Sequence, residues 1–126
     1  MLLRRRLNHN ENGLYPIGTD IITKYIRNTG IGWLNDMQIN NTTGELYETS
    51  GYSVTGDFIP IEPTYTYEKN NYRIRIGCYD TNKTFISLIN HNNNTTELLN
   101  DIPANTYYIK VSTVINSTNR ITITRK

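Results

Sequence analysis

The sequence predicts an all-β fold, an antiparallel β-sandwich or a barrel, and three observations carry that expectation. Residues 72–79 set Tyr72, Ile74, Ile76 and Cys78 at period two, with Arg73, Arg75, Gly77 and Tyr79 between them. Such alternation marks a strand with one face on a core and one in solvent. Residues 106–114 repeat it, with Tyr107, Ile109 and Val111 against Tyr108, Lys110 and Ser112. The third observation is composition. Ile, Thr, Asn and Tyr dominate and Ala104 is the only alanine, so strand formers prevail over helix formers.

In chain order, residues 1–18 show no sustained period. They carry the cluster Arg4, Arg5 and Arg6, flanked by Leu2, Leu3 and Leu7, and then an Asn-rich run through Gly13. This segment is expected to be a basic N-terminal arm that docks on an acidic neighbour, its leucines filling small pockets. The competing reading is a solvated, frayed terminus. Residues 19–126 form the expected sandwich domain.

Residues 21–26 suit a first strand or a short helix, closed by Asn28, Thr29 and Gly30. Trp33 is expected in the core or at a subunit contact, with a ligand platform as its alternative. Residues 37–40 and 45–48 flank Asn41-Thr42-Thr43-Gly44 and read as a hairpin. Ser50-Gly51 reads as a further turn. Pro60 has no N–H to donate and confines its segment to a sheet edge. Residues 80–83 (Asp-Thr-Asn-Lys) form a turn between two strands. Residues 91–96 read as a polar loop, residues 101–105 as a turn, and Ile121 and Ile123 as part of a last strand. The sum is about eight to ten short strands with turns at roughly 8–12-residue spacing, the rhythm of a sandwich or barrel.

At 126 residues the chain fits one domain, and 37% apolar residues with a mean hydropathy of −0.56 give it a thin core. A net charge of +2 is too small for general nucleic-acid binding, so no specific nucleic-acid partner is expected. No apolar run nears the ~20 residues of a spanning helix, so no membrane role is expected. The leucines of the N-terminus precede its arginines, the reverse of a secretory signal, and none is expected. Cys78 is the only cysteine. It shares a strand face with two isoleucines and is expected to be a buried, inert thiol.

No catalytic constellation stands out. His9 and His91 lie in Asn-rich stretches without metal-ligand spacing, and Asp57, Glu62 and Asp80 are scattered through turns. No enzyme activity, metal or cofactor is expected. Tyrosine is the remaining lead: ten of them supply most of the aromatic content. A flat ring with a polar tip suits carbohydrate and protein surfaces alike. Trp33, Tyr47, Tyr52 and Tyr108 are the candidate ligand or partner contacts. Tyr65, Tyr67, Tyr72, Tyr79 and Tyr107 are expected mainly to cap the core.

Three stretches, residues 43–67 (TGELYETSGYSVTGDFIPIEPTYTY), 75–87 (RIGCYDTNKTFIS) and 101–112 (DIPANTYYIKVS), together resemble a jelly-roll module of bacteriophage virion proteins from tails, baseplates, head fibres and capsid auxiliary proteins. The likeness spans residues 36–114. Cys78 departs from it, standing where that module usually has an aromatic. The resemblance implies a jelly-roll-like sandwich akin to carbohydrate-binding modules, carried in the virion and made in the bacterial host cytoplasm. The Asn-, Ile-, Lys- and Tyr-rich composition is compatible with phages of gut bacteria, including the crAss-like group.

Two function classes follow as expectations. The first is a non-enzymatic virion structural protein, a small auxiliary or decoration protein anchored to the capsid or tail lattice through Leu2, Leu3, Arg4, Arg5, Arg6 and Leu7. Its partners would be other virion proteins and further copies of itself. The second is a carbohydrate-binding module that aids adhesion to host surface glycans. A small hydrolase is the least favoured reading.

Overall fold

The computed structural model describes residues 15–126, which fold as an all-β antiparallel sandwich with one short helix. In chain order these are α1 (Ile21–Thr29), β1 (Trp33–Ile39), β2 (Leu46–Thr55), β3 (Ile59–Pro60), β4 (Tyr67–Lys69), β5 (Ile74–Tyr79), β6 (Phe85–His91), β7 (Glu97–Leu98), β8 (Tyr108–Val114) and β9 (Ile123–Arg125). The large sheet has the order β1-β2-β8-β5-β6, with β3 also pairing β8. The small sheet has the order β7-β4-β9.

The helix settles the ambiguity of residues 21–26. Apolar Ile21, Ile22, Tyr25 and Ile26 recur at helical spacing, and Ile21, Ile22 and Tyr25 are buried. Asp20 caps the start, its carboxylate accepting from the Ile22 N–H at 3.2 Å and from the Thr23 hydroxyl at 2.6 Å. The same carboxylate accepts from the Ile123 N–H at 3.1 Å, which ties the helix to β9. Gly30 ends the helix by donating to the Ile26 carbonyl at 2.9 Å.

The core lies between the sheets, where the period-two residues meet. Ile74, Ile76 and Cys78 of β5 face Ile109 and Val111 of β8, with Ile59, Tyr67, Ile121, Ile123 and the helix closing the interior. Fully burying each isoleucine contributes on the order of 1.5–3 kcal/mol. Cys78 is fully buried, and burial pushes its thiol up to about 12, as expected of an inert core cysteine.

One edge of β8 is shared by two partners, the end of β2 and the two-residue β3. β2 covers Ser112, Thr113 and Val114, and β3 covers Tyr108 and Ile109. Between them the Val111 N–H would be orphaned. The buried Thr55 hydroxyl accepts it at 3.1 Å. β3, with Pro60, pairs only with β8, in keeping with an edge segment. The turn at residues 80–83 forms as expected, with the Asp80 carboxylate accepting from the Asn82 and Thr84 N–H groups at 2.8 and 3.0 Å.

Two expectations need correction. Ser50-Gly51 is not a turn but lies inside β2, at a corner where the β1–β2 register slips. Gly51 has φ +91° and Asp36 across from it has φ 60°, and the Asp36 carboxylate accepts from the Gly51 N–H at 3.1 Å. Both residues sit in left-handed backbone, open to Gly and tolerated by Asp. The second correction concerns β5. Its outer face is not simply solvated, because Gly77 and Tyr79 are buried.

These two corrections share one cause. Past the corner, the β1–β2 hairpin folds over the outer face of its own sheet. The Ser112 hydroxyl donates to the Gln38 side-chain carbonyl at 2.8 Å, and the Tyr79 hydroxyl donates to the Gly44 carbonyl at 2.7 Å. A Cβ at Gly77 would come within 3.4 Å of Ile39 Cδ1, and one at Gly44 would overlap the Phe85 ring. Neither Ile39 nor Tyr79 belongs to the main core, although both are buried.

Candidate functional site

The four aromatic candidates go to different places. Trp33 pairs with Thr55 at the start of β1, half-buried, and its ring lines a cleft between α1 and residues 118–122. Tyr47 is exposed on the folded-over hairpin and forms no platform with the others. Tyr52 lies opposite Val114 on the outer face, beside Arg73 and Arg75. Tyr108 belongs to a packed cluster on the same face. The proposed anchoring residues Leu2, Leu3, Arg4, Arg5, Arg6 and Leu7 lie outside the described residues. Tyr15 and Gly18, assigned to the same arm, are fastened to the body: Tyr15 is buried and donates to the Pro60 carbonyl at 2.5 Å, and Gly18 N–H donates to the Arg125 carbonyl at 2.7 Å.

The Trp33 cleft has a volume of about 500 Å³. Ile22, Ile26, Trp33 and Ile121 give it an apolar floor, and Thr23, Arg27, Asn119 and Thr122 a polar rim. Asp20 also borders it, but its carboxylate is spent on the helix cap and β9. An aromatic floor with hydroxyl, amide and guanidinium groups around it suits an uncharged polar ligand with one apolar face.

The Tyr108 cluster has another character. The Phe58 ring meets Tyr79 edge-on at 4.9 Å and Tyr108 at 6.0 Å, and Tyr79 meets Phe85 at 5.7 Å. The Lys83 and Lys110 ammoniums sit over the Phe58 ring at 5.1 and 4.4 Å. Burial lowers the Lys110 pKa, and the nearby Asp57 charge opposes that shift. Tyr108 is half-buried in this cluster, with the Lys83 ammonium 5.1 Å from its ring centre.

A third polar cluster, missed in the sequence, lies at one end of the sandwich. Lys69 is fully buried, and its ammonium donates to the carbonyls of Asn70, Tyr72, Asn93 and Thr95 at 3.1, 3.1, 3.2 and 2.6 Å. Burial lowers its pKa, countered by the charge of Glu97. His91, at the end of β6 rather than in coil, presents Nδ1 to Glu97 at 2.5 Å and Nε2 to Asp101 at 2.8 Å. Asn93 donates to the same Glu97 oxygen at 2.9 Å. Period two from Tyr67 was the one available signal for Lys69, since it puts that residue on the inward side of β4.

The imidazole has a carboxylate on each nitrogen, and the Lys69 ammonium is enclosed by backbone carbonyls, so the cluster links β4, β6, β7 and the segment after β7. Among the described residues, no group of three or more His, Cys, Asp or Glu is placed to hold a metal ion. No helix among them is long and apolar enough to cross a membrane. Comparison with models of known families, with curated proteins and with solved structures yields no match.

Proposed function

We propose that the protein is a non-enzymatic structural component of a bacteriophage particle, an auxiliary or decoration protein whose sandwich is displayed and whose basic arm engages the capsid or tail lattice. The observation carrying this reading is where the three phage-like stretches fall. They supply β2 and β3, then most of β5 and the start of β6, then β8, all of which lie in one sheet. Their shared residues Gly44, Phe58, Tyr79, Phe85 and Tyr108 also make one packed cluster on its outer face.

Deleting residues 1–13 tests the anchoring part. The deletion is expected to leave the circular dichroism and melting of the domain near those of the full chain while removing it from purified particles, as read by mass spectrometry. Normal incorporation of the deleted chain would defeat the arm's role. Absence of the full chain from particles would defeat the virion role itself.

A second reading, carbohydrate binding that assists adhesion to the host, is favoured by the Trp33 cleft with its apolar floor and polar rim. Neutral oligosaccharides titrated into labelled protein should then shift resonances of Trp33, Ile26 and Asn119, and Trp33→Ala should abolish the shifts. An unperturbed cleft at millimolar sugar would rule it out.

A further inference from the structure

The outer face of the large sheet is covered at one end by the folded-over hairpin and open at the other. At the open end lies a pocket of about 120 Å³, bordered by Tyr52, Arg73, Arg75, Asn92 and Ser112. Arg73 immediately precedes β5 and Arg75 lies within it, and both border this pocket. Arg75 lies opposite Ser112 on one side and Asn90 on the other, so no acidic residue faces it across either ladder. Neither guanidinium forms an ion pair with an acid of the described residues, whereas His91 and Lys126 do. The wall is built as well: Ser112 is buried and its hydroxyl is held by Gln38 of the folded hairpin, which sets that side of the pocket.

Two arginines beside one another repel and are favourable together when an anion bridges them. A guanidinium presents donors in a fork that matches a carboxylate. Tyr52 adds a ring 37% exposed at the rim, and Asn92 an exposed amide. The volume admits a charged substituent and not a whole sugar chain. A carboxylate set between the arginines would engage both guanidiniums, with the adjoining pyranose against Tyr52 and Val114.

We infer that this outer-face pocket is a binding site for carboxylate-bearing saccharides, with Arg73 and Arg75 taking the carboxylate and Tyr52 the sugar face. The site goes beyond a structural role in a particle and is separate from the Trp33 cleft.

The test is a titration of the full chain with tetragalacturonide, cellotetraose and sodium sulfate, followed by nitrogen-15 resonance shifts. Tetragalacturonide is expected to shift Tyr52, Arg75 and Asn92 and to weaken steeply with added salt, with cellotetraose leaving them in place. Arg73→Gln and Arg75→Gln should each weaken binding roughly tenfold or more, Arg75→Lys by less, and Tyr52→Ala severalfold. Circular dichroism checks that each variant is folded. Retained affinity in Arg73→Gln with Arg75→Gln, or no binding of tetragalacturonide at millimolar concentration, would overturn the proposal. Sulfate binding as tightly as tetragalacturonide would also overturn it, reducing the pocket to a plain anion site.

Discussion

The two faces of the large sheet are buried by different physics. The inner face meets the small sheet through interlocking isoleucines, and its burial is non-directional. The outer face is partly buried by its own hairpin, through a few directed contacts: Ser112 to Gln38, Tyr79 to Gly44, and Gly77 lying flat under Ile39. The first face follows from a pattern any window of the sequence reveals. The second depends on one corner, Asp36 and Gly51, where both strands enter left-handed backbone. The difference teaches that hydrophobic alternation fixes which residues face inward, while a sheet's outer surface is decided by where the chain bends.

The sharpest way to break this contrast is to cut into the inner face. Ile76 is fully buried between Val111 and Ile89 of its neighbouring strands. Ile76→Ala should lower unfolding free energy by about 3–4 kcal/mol, read from the urea midpoint at unchanged slope. A loss below about 1 kcal/mol would mean that the sandwich interior is not the main source of stability.

Lys69 belongs to the same inner layer and breaks its apolar rule. Its stem packs like a hydrophobe while its ammonium satisfies four carbonyls. Lys69→Met keeps the stem and removes the charge, leaving those carbonyls to find other donors. A loss of about 3 kcal/mol is expected in thermal or urea unfolding. An unchanged melting temperature would show that water replaces the ammonium at no cost.

The outer face should respond more gently. Tyr79→Phe keeps the ring against Phe58 and Phe85 and removes only the hydroxyl that meets the Gly44 carbonyl. About 1–2 kcal/mol should be lost. The loss should be local, with faster amide exchange at residues 40–46 and little change at Ile76 or Val111. Uniformly faster exchange over both faces would mean that the hairpin and the sandwich unfold as one unit.

Legibility in the sequence follows the same division. Ile74, Ile76, Ile109 and Val111 are legible because period two is local. The Asn40–Glu45 hairpin and the turn at 80–83 are legible because Asx side chains and Gly act within four residues. Residues 21–26 were ambiguous, since β-branched isoleucines argue against a helix that the Asp20 cap and tertiary burial then enforce. Ser50-Gly51 looked like a turn because a glycine signals left-handed backbone without saying whether the strand resumes. Of the candidate aromatics, Trp33 and Tyr52 do border concavities. Their surroundings, the α1 wall and two arginines without an acidic partner among the described residues, come from segments separate in sequence. Lys69 had only the period-two signal from Tyr67, and nothing local joined it to His91, Glu97 and Asp101.

That last cluster yields the smallest and most conditional effect. Burial alone would lower the His91 pKa, but hydrogen bonds to Glu97 and Asp101 and their charges outweigh it, so it is raised above the ordinary 6.5. A raised imidazole stabilises the fold fully below 6.5, and that contribution fades as pH rises through the folded value. Glu97 is shifted the opposite way, lowered from 4.5 first by Asn93 and then by His91, so its contribution is full above 4.5 and fades as pH falls through the lowered value. Both are present together between about 4.5 and 6.5. Asp101 is half exposed, so screening keeps the effect modest. The urea midpoint of the wild type should therefore drift down from pH 6 to pH 8.5, and that of His91→Gln should stay nearly level. Parallel drifts would assign the pH dependence to other groups and leave His91 a neutral hydrogen-bonding link. A drift confined to His91 would show the end of the sandwich fastened by charge, where its centre is fastened by isoleucine.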